Sequence, residues 1–258
     1  MPKNPSGARA AHKTTPPRPA SARRERMREA TREEIMTVAR QQMADHGAAA
    51  LSLRSIARQM GLTAPALYRY FPSRDDLVTA LIVAAYHSLA DAMEAARDAR
   101  PVEDYAGCVR AMILTYRDWA LAHPQDYALI FGTPIPGYHA PAEITMPAAK
   151  RSMDAMVDAL MAAKRAGRLD PVPVYSRSAA GLQAQLKGWK DNYDYTASTQ
   201  VMRLALVGWS RLHGLVMLEL FNQVQPFFGD MAELYRAEAD AILKHIGLRA
   251  TKQKPSQR

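Results

Sequence analysis

The chain has 258 residues, 48% of them apolar (AVILMFWYC), a single cysteine and a formal net charge of +9. That length and content make a well-buried helical or mixed core affordable, and the lone Cys108 excludes an internal disulfide. With charges and prolines where a secretory leader would be apolar, and no uninterrupted apolar run near the roughly 18 residues of a membrane span, a reducing cytoplasm is expected and a membrane partner is not.

The positive charge is unevenly placed. Residues 1–24 carry six Lys/Arg and no acid, residues 249–258 carry four, and the remainder is close to −1. Residues 1–21, with five prolines in the first twenty positions, read as a flexible basic arm, and 249–258 as a basic tail. Either would add DNA affinity without sequence preference, because each phosphate contact releases counterions.

Helix 1 is predicted over Ala22–His46, with Ile35, Val38, Ala39 and Met43 on one face and Gly47 as its stop. Helix 2 follows over Leu53–Met60 with Ser52 as N-cap, then helix 3 over Thr63–Tyr70, ended by Pro72. Ser73 caps helix 4, which continues to about Ala99, and Asp75 and Asp76 suit the positive end of its dipole. Helix 5 fills Val102–Ala122, a short helix covers Gln125–Phe131, and Thr133–Pro147 reads as a Pro-rich loop. Three longer helices are predicted over Ala148–Ala166, Tyr175–Lys190 and Thr199–Gln225, and the last over Asp230–Ile246. No segment alternates apolar and polar residues as a strand would. The expected class is all-α: an N-terminal three-helix domain (22–72) containing a helix-turn-helix, joined through helix 4 to a larger helical domain (73–248).

The run Leu51–Phe71 carries the chemistry of a helix-turn-helix. Ile56, Ala57 and Met60 give its first helix an apolar side, and Gly61 stands where the tight turn needs positive φ. Leu62 plugs the space between the helices, Thr63 caps the second, and Pro65 sits in its first turn, where a missing N–H is harmless. With Leu67 facing inward, Thr63, Ala64, Ala66, Tyr68 and Tyr70 are free to face a major groove.

These residues resemble the TetR family of repressors over about Thr31–Ala80, through His46-Gly47, Leu51-Ser-Leu-Arg-Ser-Ile-Ala57, Gly61-Leu-Thr63 and Ala66-Leu-Tyr-Arg-Tyr-Phe-Pro-Ser-Arg-Asp-Asp-Leu77. The resemblance implies that Tyr68 holds a phosphate through its hydroxyl and that Arg74 clamps another. It also implies that Thr63, Ala64, Pro65, Ala66 and Tyr70 line base edges, the alanines by methyl contact. Arg54 reads equally well as a bidentate guanine reader or an exposed phosphate contact. Farther on, Gly208-Trp209-Ser-Arg-Leu-His213-Gly214 resembles a ligand-domain subfamily with a Trp…His-Gly pattern; Trp209 and His213 share a helix face.

By the same resemblance, a cavity is expected among the middle helices and a homodimer through the last two long ones. Tyr116, Trp119, Tyr127, Phe131, Met153, Met156, Trp189, Trp209 and His213 are the candidate pocket residues, although the same side chains serve equally as core. The apolar faces led by Met202, Leu206 and Val216, and by Met231, Tyr235 and Ile242, are the candidate dimer surface. The implied partners are a pseudo-palindromic double-stranded DNA operator, a second copy and an unidentified small molecule, and the expected role is a repressor. Scattered histidines, no phosphate-loop pattern and no metal-ligand spacing leave no catalytic residue, metal or cofactor to assign. The competing reading is a protein that coats DNA or a membrane surface through its basic tails alone.

Overall fold

A computed structural model describes residues 19–175 and 177–248. Among these residues are eleven α-helices, two short 3₁₀ turns and one isolated antiparallel bridge, Leu169 to Leu248. The first helix, α1, spans Pro19–His46, so residues 19–21 of the expected arm are helical. A proline in the first helical position forfeits no bond there. The rest of the basic arm and the basic tail lie outside the described residues.

Helices α2 (Leu53–Gln59) and α3 (Ala64–Tyr68) are held by the expected signals. Ser52 accepts from the Ser55 N–H and Thr63 from the Ala66 N–H. At the turn, Gly61 has φ +66°, while Leu62 N–H bonds Ala57 C=O at 2.8 Å and Gly61 N–H bonds Arg58 C=O at 3.2 Å. That is a Schellman termination, which puts Gly61 in the left-handed region and aims Leu62 back at the helix it follows. Ser73 then caps α4 (Arg74–Asp98).

Beyond α4 come α5 (Tyr105–Ala122), α6 (Pro124–Phe131), α7 (Ala142–Arg165), α8 (Ala180–Asn192), α9 (Thr199–Leu220), α10 (Gln225–Phe228) and α11 (Ala232–His245). Three boundaries differ from expectation by five residues or more. Helix α7 starts at Ala142 and runs through Pro147, which forfeits only the bond to the Glu143 carbonyl, while Thr145 donates to Pro141 C=O in the first turn. The segment Pro173–Tyr175 is a 3₁₀ turn rather than the start of α8, because the buried Tyr175 bonds His245 on α11. Helix α9 stops at Leu220, where Asn222 takes φ +54° in a Schellman termination, with Gln223 N–H on Leu218 C=O.

Two apolar cores result. The first joins Ile35 and Ala39 of α1 to Ile56, Leu67 and Phe71, with Leu77, Val78 and Leu81 from the start of α4. The second packs α5, α7, α9 and α11 around residues such as Met112, Leu160, Met202 and Tyr235, with Leu89 and Met93 from the end of α4. Both α4 and α9 are long and apolar enough, by length and composition, to cross a bilayer, but half of the relevant α4 window is buried in these cores. Of the residues expected at a dimer surface, Met202 and Val216 of α9 and Tyr235 and Ile242 of α11 are instead buried in the second core of their own chain, and Met231, just before α11, is buried as well.

The second core closes on an ion pair. Arg117 of α5 grips Glu219 of α9 through both carboxylate oxygens, Nε to Oε2 being 2.7 Å, and each side chain is only 10% exposed. The guanidinium also faces the Tyr235 ring, whose hydroxyl donates to Ile113 C=O. Removing one buried partner strands the other charge, whereas removing both restores an apolar contact. Arg117→Met is therefore expected to lower unfolding free energy by roughly 3 kcal/mol, and Arg117→Met/Glu219→Leu to recover most of it in chemical denaturation. A harmless single substitution would contradict the bridging role.

Candidate functional site

The short helix α3 presents one continuous outer surface. Thr63, Pro65 and Tyr68 are exposed, Ala64, Ala66 and Tyr70 are half-buried, and Leu67 alone is fully buried beneath them. Arg54 on the first turn of α2 is exposed. Two further cations, Arg58 near the end of α2 and Arg69 just after α3, are also exposed and were not singled out from the sequence. Nothing in their local pattern separates them from ordinary solvated arginines.

Arg74 is differently disposed. Its Nε donates to Leu51 C=O at 3.3 Å, and one terminal nitrogen donates to Ala48 and Ala49 C=O at 3.2 Å each. Its guanidinium thus braces the 3₁₀ turn between α1 and α2, using donors that the family resemblance would give to a phosphate. Capping that turn secures the N-terminus of α2 and with it the angle of α3.

A cavity of about 160 Å³ is lined mainly by residues of the second core. Of the nine side chains expected there, Tyr116, Phe131, Met153, Met156 and Trp209 line it. The other four do not. Trp119 is buried with its indole N–H on Ser88 and its ring stacked on His123, and Trp189 packs on Tyr195. Tyr127 and His213 sit one layer behind Tyr116. Lining residues that sequence reasoning missed include Tyr86, Met93, Met112, Leu204 and Gly208. Their helical spacing is that of ordinary core, so periodicity held no signal for a void.

Behind the cavity wall is a polar cluster. His213 Nδ1 is 2.7 Å from the Tyr116 hydroxyl and 2.9 Å from that of Tyr127, and the two hydroxyls are 3.3 Å apart. Trp209 stacks on the imidazole at 4.6 Å between ring centroids, one helical turn before it. Burial lowers the His213 pKa, which keeps the ring neutral at pH 7, and pushes the Tyr127 hydroxyl up to about 12. The Tyr116 hydroxyl is raised further by the same cause. No side chain lining the cavity is ionisable in the neutral pH range. Among the described residues no three His, Cys, Asp or Glu converge as metal ligands.

The cavity is physically connected to α1–α3. Tyr86 of α4 and Phe131 of α6 form part of its wall, and the Tyr86 hydroxyl donates to Ile130 C=O. From the same α6, the buried Asp126 accepts from Arg40 Nε of α1 at 2.9 and 3.1 Å. Just beyond α6, Ile135 enters the first core and Tyr138 bonds Thr79 of α4.

The family model for bacterial regulatory proteins of the tetR family matches residues 35–81, and one for a tetracyclin repressor-like C-terminal domain matches residues 109–242. The HTH-type transcriptional regulator Rv1816 of Mycobacterium tuberculosis is 35% identical over 200 residues, covering 76% of this chain and 83% of that protein. The crystal structure of the regulatory protein SCO4313 superposes with a TM-score of 0.68 at 41% identity, over 85% of this chain and 98% of its own. A protein of unknown function from Rhodococcus sp. RHA1 shares the fold with a TM-score of 0.65 at 23% identity, over 84% of this chain and 95% of its own.

The bracing of Arg74 has a measurable consequence. Arg74→Ala is expected to destabilise the DNA-free protein by roughly 1–2 kcal/mol, since three carbonyls lose a charged donor near the surface. Unchanged thermal unfolding without DNA would show that the carbonyl contacts contribute nothing.

Proposed function

The chain belongs to the TetR family of transcriptional regulators, and on that premise we propose that it is a repressor that holds a pseudo-palindromic operator as a homodimer and releases it when a small molecule fills the cavity. DNA binding is the family's activity; the operator symmetry, the dimer and the release are the reading argued here. The observation that carries it is the sharing of α4 and α6. Each contributes a side chain to the cavity wall and another to the packing of α1–α3. A ligand that spreads Tyr86 from Phe131 shifts both helices, and can release DNA only by favouring the arrangement that reads it poorly.

In this reading residues 22–72 contact DNA and 73–248 sense and dimerise. Thr63, Ala64, Pro65, Ala66 and Tyr70 lie along base edges, with Tyr68 and Arg54 at the margin. The exposed side of α9 supports a dimer surface: Leu206, Val207, Leu218 and Phe221 stand open, with the small Ser210 and Gly214 between them. Helix α8 packs on α9 yet buries only Leu186, which leaves its other sides for a second copy. Two copies would set two α3 helices about one DNA turn apart.

Protection of the promoter beside its own coding region tests the reading. A discrete, palindromic footprint from a dimer is expected, whereas uniform coating would overturn it in favour of binding by basic tails. Tyr68→Phe should weaken every site alike, as for a phosphate contact. If Arg54 reads guanine, Arg54→Ala should cost about 1–3 kcal/mol and relax preference at one position only. Asp126→Asn should leave cavity binding intact and blunt the release of DNA; unchanged release would remove the Arg40–Asp126 pair from the coupling.

A further inference from the structure

We propose that the cavity selects a compact, uncharged ligand with an apolar body of about one ring and a single hydrogen-bond acceptor, and that Tyr116 donates to that acceptor. This rests on the reading that the cavity is the ligand site, and adds to it the chemical class.

Charge is excluded by the wall. The lining consists of aliphatic, aromatic and methionine side chains with one serine, Ser152, and contains no Lys, Arg, His, Asp or Glu. A carboxylate or ammonium entering it would lose hydration against a wall that offers no counter-ion. The volume, about 160 Å³, is close to the ~150 Å³ apolar cavity that takes up benzene. Met93, Met112, Met153 and Met156 allow the wall to adjust around such a body.

The acceptor follows from counting protons. Tyr86 and Tyr235 already donate to backbone carbonyls, of Ile130 and Ile113. Tyr116 is different. It and Tyr127 both approach the same nitrogen, His213 Nδ1, at 2.7 and 2.9 Å. A neutral imidazole offers there either one lone pair or one proton. As a lone pair it takes one hydroxyl proton, and as an N–H it takes none. In both tautomers at least one hydroxyl proton is left with only the other hydroxyl, at 3.3 Å, beyond the 2.5–3.0 Å of a normal O–H···O bond. Tyr127 does not reach the cavity but can keep Nδ1 satisfied alone. Tyr116 does reach it, and is free to turn its proton to a ligand oxygen without leaving His213 unpaired.

The test uses the full chain and four probes of one ring each: acetophenone (neutral, acceptor), ethylbenzene (neutral, no acceptor), benzoate and benzylammonium. Titration calorimetry and thermal shift on the wild type should show binding of both neutral probes, acetophenone the tighter, and none of either ion. In Tyr116→Phe, acetophenone should weaken about tenfold while ethylbenzene binds as before, the latter showing that the cavity is intact. Tyr127→Phe should leave the preference for acetophenone in place. Binding of benzoate or benzylammonium as tight as that of the neutral pair, no binding of either neutral probe, or an equal loss of both probes in Tyr116→Phe would overturn the proposal. Acetophenone binding by the predicted pattern with the operator still held would support the ligand class and count against ligand-driven release.

Discussion

One helix belonging to two apolar cores constrains everything else in this molecule. The first turns of α4 place Leu77, Val78 and Leu81 among α1–α3, and its later turns place Leu89 and Met93 against α5 and α7. A helix is stiff along its axis, and close-packed cores repack between discrete arrangements rather than deforming smoothly. The start of α4 therefore cannot move independently of its end. Tyr86 lies between the two sets and forms part of the cavity wall. Helix α6 runs a parallel connection, with Phe131 on the wall and Asp126 on Arg40.

Several polar groups join distant elements and fix their geometry. Arg117 and Glu219 tie α5 to the end of α9, closing the second core on the side where Tyr235 also bonds Ile113. Arg74 ties the turn after α1 to the start of α4. These contacts hold the cavity and α3 in register with α4. The His213 cluster is the exception, because two hydroxyls compete for one nitrogen. That surplus sits immediately behind a wall that is otherwise apolar.

The helix-turn-helix was legible because its signals are local. A serine, threonine or glycine acts on N–H and C=O groups within five residues, so Ser52, Gly61, Thr63 and Ser73 report their structure directly. Helices over the remaining chain were legible from apolar spacing for the same reason. Some of the misses turned on a contact distant in sequence. Tyr175 leaves helix α8 because of His245, seventy residues away in sequence. Met231 and Tyr235 were assigned to a dimer surface because an apolar helical face looks the same whether its own chain or a partner covers it.

The sequence by itself determined an all-α chain, the turn and caps of the helix-turn-helix, and membership in a family recognisable from those residues. Only the tertiary structure decided which apolar side chains surround empty space, that Trp119 and Trp189 belong to the packing while Tyr86 and Gly208 face the cavity, and that Arg74 turns toward carbonyls. The physical reason is range. Backbone hydrogen bonds and caps are settled between near neighbours, whereas a void, a shared nitrogen or a buried ion pair exists only where distant helices converge.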